Sequence, residues 1–380
     1  MSFLSTTTTH NSIISKVLFL YKCYAKTMMI LGIETSCDET AAAVVEDGKR
    51  LLSNVVASSM DLHAKYGGVI PEIAARSHIE SIIPVIEQAL YVAKCDWDDI
   101  DGIAVTYGAG LGGSLLVGVM TARSLAITKN KPLYAINHVE GHLYANFITE
   151  TTLSGYSLPQ RQPQFPFLGL IVSGGHSQLV LFRDHFDYTL LGQTQDDAIG
   201  EAFDKVAKLL GLPYPGGPSV SKLAAKGDPF KYDLPKAKLA DKYNFSFSGP
   251  KTAVLRLAQA ECGKGHDFPS NQLSALLHEA QKADIAASFQ RVAIETVVDK
   301  TILAYEEFQP KSVIIGGGVA SSPELRQQLS ARLPLPVEYT DPKLCTDNGA
   351  MIAALGCIKA QFDQPTADPY LLEISPSLSM

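Results

Sequence analysis

The sequence lacks long hydrophobic runs and any excess of positive charge. No stretch approaches the roughly 18 uninterrupted apolar residues of a transmembrane helix, so we predict no association with a membrane. The 32 Lys and Arg residues are outnumbered by 39 Asp and Glu residues, which gives a formal net charge of −7. Nucleic-acid-binding domains usually carry a basic surface. A polyanionic partner would therefore have to meet a local basic patch or a second subunit.

Paired cysteines and two common nucleotide-binding motifs are also missing. The six cysteines form no CxxC or CxxxC pair, which argues against a zinc ribbon or a thioredoxin-type site. Scattered single cysteines fit a reducing compartment. No GxxxxGK[ST] motif occurs, and no GxGxxG motif follows the first predicted strand. The sequence therefore excludes a P-loop and argues against a dinucleotide-binding Rossmann site.

The composition is that of an ordinary globular protein, and the length of 380 residues predicts two lobes, because single cores stop growing near roughly 250–300 residues. Residues 1–27 stand apart: they contain three lysines, many Ser and Thr residues and no acidic residue. We expect this segment to be a disordered tail or a targeting extension. The protein is then cytoplasmic, or mitochondrial or plastid if the segment is a transit peptide.

Both halves of the remaining chain open with a strand pair. Strand patterns cover residues 29–33, 41–45 and 51–58, followed by a helical pattern over 72–90 with Ile73, Ile79, Ile82, Ile83 and Ile86 on one face. Alternating strands and helices continue to residue 147 (strands 102–106 and 133–137, helices 115–127 and 138–147). After a loop rich in Thr, Ser, Pro and Gln, a second pair of strands covers 167–172 and 177–182. The repeated hairpin indicates a duplicated α/β domain.

The second half then becomes mostly helical. It runs from residue 198 to 307, returns to a strand at 312–315 and ends with a helix near 349–360. We therefore predict that lobe I comprises residues 28–148 plus about 344–380. Residues 149–166 form a linker, and lobe II comprises 167–343 with a helical insertion.

A pair of histidines is the first candidate site. His138 and His142 are four residues apart, so on a helix both imidazoles can reach one metal ion. Two unrelated histidines at a helix start would give the same spacing. Asp347, in a loop before the last helix, is the best candidate for a third ligand, and this set suits Fe²⁺ or Zn²⁺. Glu140 lies two residues after His138 and would point away from such a metal, which weakens a metallopeptidase interpretation.

Glycine turns and carboxylates supply further candidates. Four Gly-rich turns (residues 108–113, 173–176, 216–217 and 316–318) could bring backbone N–H groups to phosphate oxygens, although glycine also simply makes turns. Asp38 and Glu39 follow the first strand and could act as a base, and Asp204 is similar. Residues 222–251 carry seven lysines interleaved with aromatic residues, which could contact RNA or form a solvated surface.

Taken together, these segments resemble one known family. The similarity is carried by residues 32–40, 138–142, 172–176, 200–205, 214–218 and 245–249, which occur in this order within about residues 29–359. The chain resembles the TsaD family, the tRNA threonylcarbamoyladenosine transferases once described as O-sialoglycoprotein endopeptidases. It is more similar to the bacterial and organellar branch than to the archaeal one.

The resemblance implies a fold and an activity. The fold is of the ASKHA (actin, sugar kinase and Hsp70) type, with two related lobes around a cleft. The activity is acyl transfer: the threonylcarbamoyl group of threonylcarbamoyl-AMP moves to the exocyclic amine of adenosine 37 in tRNAs that read codons beginning with adenine, and AMP leaves. The implied partners are tRNA, with TsaB and TsaE in bacteria, or a homodimer in organelles.

The resemblance also implies roles for individual residues. His138, His142 and Asp347 would hold one divalent metal ion, Fe²⁺ or alternatively Zn²⁺. Asp38 and Glu39 match residues tied to catalysis. The nucleotide and the rest of the donor would be bound by Ile171, Val172, Ser173, Gly174, Gly175, Asp204, Gly217 and Ser322.

Two departures from the family pattern stand out. Ser322 replaces the usual Asn, which removes an amide that could contact the nucleotide. Ala109 replaces a proline in the Gly-Pro-Gly-Leu loop, while both glycines remain. The alternatives to a transferase are an ASKHA kinase, a metallopeptidase and a non-catalytic scaffold. A kinase has no need of the two histidines and Asp347, and the position of Glu140 argues against a metallopeptidase. The presence of both histidines and Asp347 argues against a scaffold.

Overall fold

The computed structural model describes residues 27–337 and 339–380, which contain two sheets. The first has six strands in the order β5-β4-β1-β2-β3-β6. They are β1 (Met29–Glu34), β2 (Glu39–Glu46), β3 (Arg50–Ser58), β4 (Gly102–Gly108), β5 (Leu133–Asn137) and β6 (Glu150–Thr151). Strands β1 to β3 are antiparallel, whereas β4 pairs parallel with β1 and β5 pairs parallel with β4.

The second sheet repeats this connectivity with four strands in the order β10-β7-β8-β9. They are β7 (Phe167–Val172), β8 (Ser177–Asp184), β9 (Asp187–Gln193) and β10 (Ser312–Gly316). Strands β7 to β9 form an antiparallel meander, and β10 pairs parallel with β7, as β4 does with β1. The same order in both sheets agrees with the duplication that the hairpins predict.

Helices fill the spaces around both sheets. The α-helices of the described residues are α1 (Met60–Ala64), α2 (Pro71–Ala93), α3 (Gly112–Lys129), α4 (His138–Tyr144), α5 (Ile199–Leu210), α6 (Gly216–Ala224), α7 (Ser248–Glu261), α8 (Glu279–Phe308), α9 (Pro323–Arg332), α10 (Pro342–Cys345) and α11 (Gly349–Gln361). Short 3-10 turns lie at Ala145–Phe147, Ser270–Ala275 and Gly318–Ser321. No helix in residues 27–337 and 339–380 combines the length and the hydropathy needed to cross a bilayer.

Alternation along β1 divides the first sheet between two hydrophobic layers. Leu31 and Ile33 pack with α2 and α3, whereas Ile30 faces α11. Helix α11 lies so close to β1 that a Cβ at Gly32 would be 2.3 Å from the carbonyl oxygen of Gly349. Only glycine fits there, and this contact fixes the last helix of the chain against the first strand. The second lobe has its own core, built on α5, α7 and α8.

Helix α2 departs from its sequence-based face. The prediction grouped Ile79 and Ile83 with Ile82 and Ile86 as one packed surface. Ile82 and Ile86 are buried, but Ile79 is 64% exposed and Ile83 is 49% exposed, so that part of the prediction is wrong. The buried stripe follows Ala74, His78, Ile82, Val85 and Ala89 instead. Because isoleucines occur on both sides of the helix, their pattern alone could not identify the packed side.

Smaller differences concern element ends. Strands β6 and β9 were not anticipated, and Gly112 and Gly113 belong to α3 rather than to the preceding loop. The helix at 138–147 becomes 3-10 in its last three residues. The lobe boundaries, at about residues 148, 167 and 344, remain predictions.

Candidate metal and nucleotide site

Helix α4 carries the two histidines of the candidate metal site. Asn137 caps this helix, its Oδ1 accepting a hydrogen bond from the Val139 backbone N–H at 2.9 Å. His138 and His142 are separated by about one turn, and both are buried. Helix α4 packs on α11, where a Cβ added at Gly141 would lie 3.0 Å from Ile352 Cδ1.

Asp347 reaches both imidazoles from the other end of the chain. Its Oδ1 lies 3.6 Å from His138 Nε2 and 3.4 Å from His142 Nε2. The candidate ligand atoms of these three residues all lie within 4.8 Å of one another. Neighbouring Asn348 caps α11 through a hydrogen bond from Met351 N to its Oδ1 at 3.0 Å, which fixes the start of that helix beside Asp347.

The three residues fit a divalent cation. Both ring nitrogens of His142 are buried and have no hydrogen-bond partner among the described residues, an arrangement that is costly unless something binds there. Two imidazoles and one carboxylate are also the donor set that Fe²⁺ and Zn²⁺ accept in proteins.

Glu34, at the end of β1, orients His138. Its Oε2 lies 3.1 Å from His138 Nδ1 and accepts a hydrogen bond from Thr106 Oγ1 at 2.5 Å. A proton on Nδ1 that is donated to this carboxylate leaves Nε2 free to face Asp347. The sequence analysis did not single out Glu34, although it belongs to the motif at residues 32–40. Its position as the last residue of a buried strand was the available signal.

Charge pairing sets the protonation of this cluster. Burial opposes the charged form of His138, but Asp347 and Glu34 raise the pKa of its imidazole to about 9. Burial likewise opposes ionisation of Asp347, yet the charge of His138 and the contact with His142 Nε2 lower the pKa of the Asp347 carboxyl to about 2. The Asp347 carboxylate is therefore ionised at neutral pH, and a cation that binds here would displace the Nε2 proton of His138.

A cleft of about 760 Å³ opens beside these residues and has walls from both halves of the chain. The first half contributes the turn at residues 36–39 and His138, and the second half contributes the turn at 173–176. Within the part of the chain that the structure describes, a Cβ at Gly174, Gly175 or Gly217 would meet no atom within 4 Å, so these glycines border open space. The backbone is thereby exposed to any ligand in the cleft.

Most predicted nucleotide residues line this cleft, but two do not. Ser173, Gly174, Gly175, Asp204, Gly217 and Ser322 are on its wall. Ile171 and Val172 are buried in strand β7, and their side chains join hydrophobic layers on opposite faces of the second sheet. Any part these two have in binding would come through the position of the turn that follows them.

Asp204 and Ser322 are already engaged by backbone groups. Asp204 Oδ1 accepts a hydrogen bond from Gly216 N at 2.6 Å, which joins α5 to the start of α6. Burial raises the pKa of the Asp204 carboxyl. Ser322 caps α9, its Oγ accepting from Leu325 N at 3.5 Å. The shorter serine therefore serves the helix while its residue still borders the cleft.

The carboxylates of the first turn differ from each other. Asp38 and Glu39 both line the cleft. Burial, together with the nearby charges of Asp347 and Asp38, raises the pKa of Glu39 to about 10. Ser58 Oγ donates a hydrogen bond to Glu39 Oε1 at 3.2 Å. Glu39 is consequently neutral at pH 7 in this environment.

The lysine-rich stretch at residues 222–251 gives little support to RNA contact. Its aromatic residues Tyr243, Phe245 and Phe247 are buried in the core of the second half. Lys236 pairs with Asp299 at 2.7 Å, Lys242 with Glu307 and Lys251 with Asp197. The aromatic interleaving therefore reflects packing, and these three lysines are neutralised locally.

Several cleft residues were not anticipated from the sequence. Met60, Gly67, Gly68 and Val69, from α1 and the loop after it, form part of the wall, as do Tyr214 and His176. The His176 ring centroid is 6.5 Å from that of His138. Tyr214 and His176 lie inside quoted motifs, so their place in those motifs was a signal. The loop after α1 offered only its paired glycines.

The fold and the cleft together define a class. Two sheets of matching topology around a cleft, with glycine turns on one wall, describe a protein of the ASKHA type. The nucleotide- and phosphate-bound HypF structure aligns with a TM-score of 0.53 at 14% identity, covering 89% of this chain and 47% of HypF. HypF of T. kodakarensis gives 0.54 at 12% identity, covering 91% of this chain and 50% of HypF. At such identities the likeness concerns the fold alone.

Sequence comparison identifies the family within that class. The family model described as TsaD, tRNA N6-adenosine threonylcarbamoyltransferase, matches residues 50–354. A protein of that description from Thermomicrobium roseum is 51% identical over 342 residues, covering 88% of this chain and 92% of that protein. One from Symbiobacterium thermophilum is 50% identical over 331 residues, covering 86% and 90%. The chain belongs to the TsaD family, as the motifs indicate.

Proposed function

We propose that this protein transfers a threonylcarbamoyl group from threonylcarbamoyl-AMP to the exocyclic amine of adenosine 37 in tRNAs that read codons beginning with adenine. The observation that carries the proposal is a cleft with the cluster of His138, His142 and Asp347 beside it. Its other wall is open at Gly174, Gly175 and Gly217, and we call these three residues the glycine wall. Membership of the TsaD family, shown by 50% and 51% sequence identity to the two relatives above, indicates the class of reaction.

The glycine wall seats the AMP part of the donor. Gly174 and Gly175 leave room for the backbone to approach a ligand, and Gly217 lies in the first turn of α6. Backbone N–H groups at a helix start favour phosphate oxygens. Asp204 beside them is placed to accept a hydrogen bond from a ribose hydroxyl.

His138, His142 and Asp347 hold a divalent cation, for which Fe²⁺ is the first candidate and Zn²⁺ the alternative. When bound, such an ion supplies positive charge that polarises the donor and favours departure of its phosphate. Glu34 keeps His138 in the orientation that metal ligation needs, because its carboxylate accepts a hydrogen bond from His138 Nδ1–H.

Asp38 takes the proton in the transfer step. The adenine N6 forms a bond to the carbamoyl carbon, the bond from that carbon to the phosphate oxygen breaks, and AMP leaves with the electron pair. The N6 proton passes to the Asp38 carboxylate on the cleft wall. The donor is already an activated anhydride, so positioning and charge supply most of the remaining rate enhancement.

The decisive experiment is transfer of labelled threonylcarbamoyl-AMP to tRNA by the purified protein, with and without added partners. We expect labelled tRNA and AMP in equal amounts. The control is the same tRNA with guanosine at position 37, which lacks the N6 amine. Release of AMP without labelled tRNA, or labelling of the control tRNA, would refute the proposal.

Peptide hydrolysis receives no support from the site. Glu140, the acidic residue between the two histidines, is buried, and burial raises the pKa of its carboxyl to about 7 against the opposing charge of Lys359 on α11. It therefore faces the lobe interior rather than a water molecule at the His138 and His142 nitrogens.

An exposed apolar face on α2 and α3 is the proposed partner surface. Ile79 and Ile83 on α2, with Leu116 and Met120 on α3, are between 46% and 64% exposed. Large exposed apolar groups on two adjoining helices are typical of interaction sites. Because the relatives reported above are bacterial, we assign this face to a TsaB-type partner, with TsaE as a third component and a homodimer as the alternative occupant.

The partner surface is tested by Ile83→Glu, with Gln88→Glu as the matched control. Gln88 is exposed on the same helix but lies about 140° around the helix axis from Ile83. The Gln88→Glu variant therefore introduces the same negative charge outside the proposed partner surface. We expect Ile83→Glu alone to abolish co-elution with a TsaB-type protein in size-exclusion chromatography. If the protein forms a dimer without any partner, and Ile83→Glu converts that dimer to a monomer, the face serves self-association instead.

The proposed compartment is the cytoplasm. An organelle is the alternative if residues 1–27 are a transit peptide, and residues 1–26 lie outside the described residues. Sequencing the N-terminus of the mature protein from its own cells would separate the two, because a cleaved extension marks import.

A further inference from the structure

The turn that carries Asp38 is fixed at three successive carbonyl groups. The Ser36 carbonyl accepts a hydrogen bond from Leu111 N at 2.8 Å. The Cys37 carbonyl lies 3.0 Å from His78 Nε2 and 3.2 Å from Ser114 Oγ. The Asp38 carbonyl accepts from Ser59 twice, through N at 3.0 Å and Oγ at 2.8 Å. The backbone beneath the proposed base is therefore held by side chains from α2 and α3 and by the start of α1.

His78 contributes the most specific of these contacts. It is fully buried on the inner side of α2, where Thr40 Oγ1 lies 2.8 Å from its Nδ1. Because a backbone carbonyl can only accept, Nε2 carries the proton that is donated to the Cys37 carbonyl. Burial lowers the pKa of the His78 imidazole, so Nδ1 carries no proton and accepts a hydrogen bond from the Thr40 hydroxyl. The ring is thus neutral, with one defined tautomer, and it connects Cys37 in the turn to Thr40 in β2.

A second buried histidine supports the same turn through a relay. Ile70 N donates to His63 Nδ1 at 3.2 Å, so the His63 proton is on Nε2, which lies 3.1 Å from Ser59 Oγ. Ser59 then donates its own proton to the Asp38 carbonyl. Two histidines outside the cleft lining therefore have matching tautomers directed toward one loop.

We propose that His78 is a positioning residue for the transfer reaction. Its Nε2–H bond to the Cys37 carbonyl sets where the Asp38 carboxylate stands relative to the cleft, and His78 itself touches no substrate. The inference rests on the proposed function, because that proposal makes Asp38 the base of the transfer reaction. A displacement of about 1 Å at a reacting group can cost on the order of 100-fold in rate.

A pair of amide substitutions separates the two contacts of the ring. In His78→Gln the amide nitrogen reaches about as far as Nε2 and can still donate to Cys37. In His78→Asn the amide reaches only about as far as Nδ1, so it can contact Thr40 but not Cys37. We expect His78→Asn to lower kcat for transfer by about tenfold or more with little change in KM for the donor, and His78→Gln to restore at least half of the lost rate.

Amide hydrogen exchange across residues 35–40 gives a readout that needs no activity. We expect exchange there to quicken by about tenfold in His78→Asn and to stay near the wild-type rate in His78→Gln, as loss of one buried hydrogen bond predicts. Failure of the wild-type protein to modify tRNA would refute the proposed function while leaving this measurement interpretable.

Three results would overturn the positioning role. They are equal exchange in both variants, wild-type kcat in His78→Asn, or a parallel loss of kcat and melting temperature in both variants. If His78→Asn does not fold, Thr40→Val tests the same bridge from its other end, because it removes the hydroxyl that orients the ring. Severalfold slower transfer with unchanged metal content is then expected, and an unchanged rate would contradict the proposal.

Discussion

The β1–β2 turn and the β7–β8 turn occupy matching places in the two sheets and have equal lengths, yet they present different chemistry. The first comprises residues 35–38 and the second residues 173–176. The first places the Asp38 side chain on the cleft wall, whereas the second places bare backbone at Gly174 and Gly175 there. Duplication of one hairpin has thus given a turn that offers side chains and a turn that offers N–H groups.

The difference shows how one fold can divide a reaction between its halves. The first half, with α4, contributes imidazoles and carboxylates that handle a metal ion and a proton. The second half contributes space and oriented dipoles for a nucleotide. Asp347 belongs to neither turn, but it lies just before α11, which packs on the first sheet. Changes on each side should therefore affect different steps.

The largest expected effect is on the metal cluster. His142→Ala removes one of three proposed ligands and leaves Asp347 facing a void, so we expect loss of bound metal and at least about a 1000-fold fall in transfer. Metal analysis of the purified variant and single-turnover kinetics measure both. The exposed His266 lies outside the cleft lining, so His266→Ala is the control. Full metal content in His142→Ala would contradict the assignment.

The second effect should appear in donor binding. Gly175→Val places a branched side chain in the cleft without a clash in the fold, since a Cβ at Gly175 meets no atom within 4 Å. We expect KM for threonylcarbamoyl-AMP to rise by about 10- to 100-fold with an unchanged melting temperature and metal content. Gly265→Val, also in open space but outside the cleft lining, should change nothing. An unaltered KM in Gly175→Val would place the nucleotide elsewhere.

The third comparison is within the first turn. Asp38→Asn removes the proposed base, and we expect about a 100-fold slower chemical step. Glu39 has a pKa raised to about 10, so it carries its proton at pH 7 and loses it only as the pH rises toward that value. Glu39→Gln mimics the protonated form and should cost only a few-fold near pH 7. Rapid-quench measurement of the transfer rate in both variants checks this ranking. A slower chemical step in Glu39→Gln than in Asp38→Asn would contradict it.

The smallest effect concerns Ser322. Asn caps a helix about as well as Ser, so Ser322→Asn should leave the melting temperature within about 1 °C of the wild type. The added amide borders the cleft, and we expect KM for the donor to fall by about two- to fivefold. Ser322→Ala is the comparison, because it loses both the cap and any polar contact. A KM that rises in Ser322→Asn would show that the shorter side chain is the better fit.

Local sequence signals were sufficient for the elements and for the polar motifs. The strand at 133–137 and the strand at 167–172 have the predicted bounds, because each is a short apolar run with clear ends. Between β2 and β3, Asp47 and Gly48 have φ of 53° and 70°, the positive values that an Asp-Gly hairpin turn adopts. The spacing of His138 and His142 was enough to place them on one helical face.

Partners distant in the chain could not be read in the same way. Nothing near Glu34 indicated that its carboxylate would orient His138, since the two residues are 104 positions apart. His78 was overlooked for the same reason, because the Cys37 carbonyl that it contacts is 41 positions away. His63 was also overlooked, because no motif indicated its bonds to Ile70 N and Ser59 Oγ. Which isoleucines of α2 face outward also depended on where α3 and the first sheet lie.

The amino-acid sequence by itself determined the strands, the helices, the duplicated hairpin and the types of residue at the site, because periodicity and turn chemistry act over a few neighbouring residues. The tertiary structure decided that Asp347 meets two imidazoles about 200 residues earlier, that Ile171 and Val172 turn away from the cleft, and that two buried histidines hold the Asp38 turn. Those outcomes depend on how α11 and α2 pack against the first sheet, and packing is a property of the whole chain.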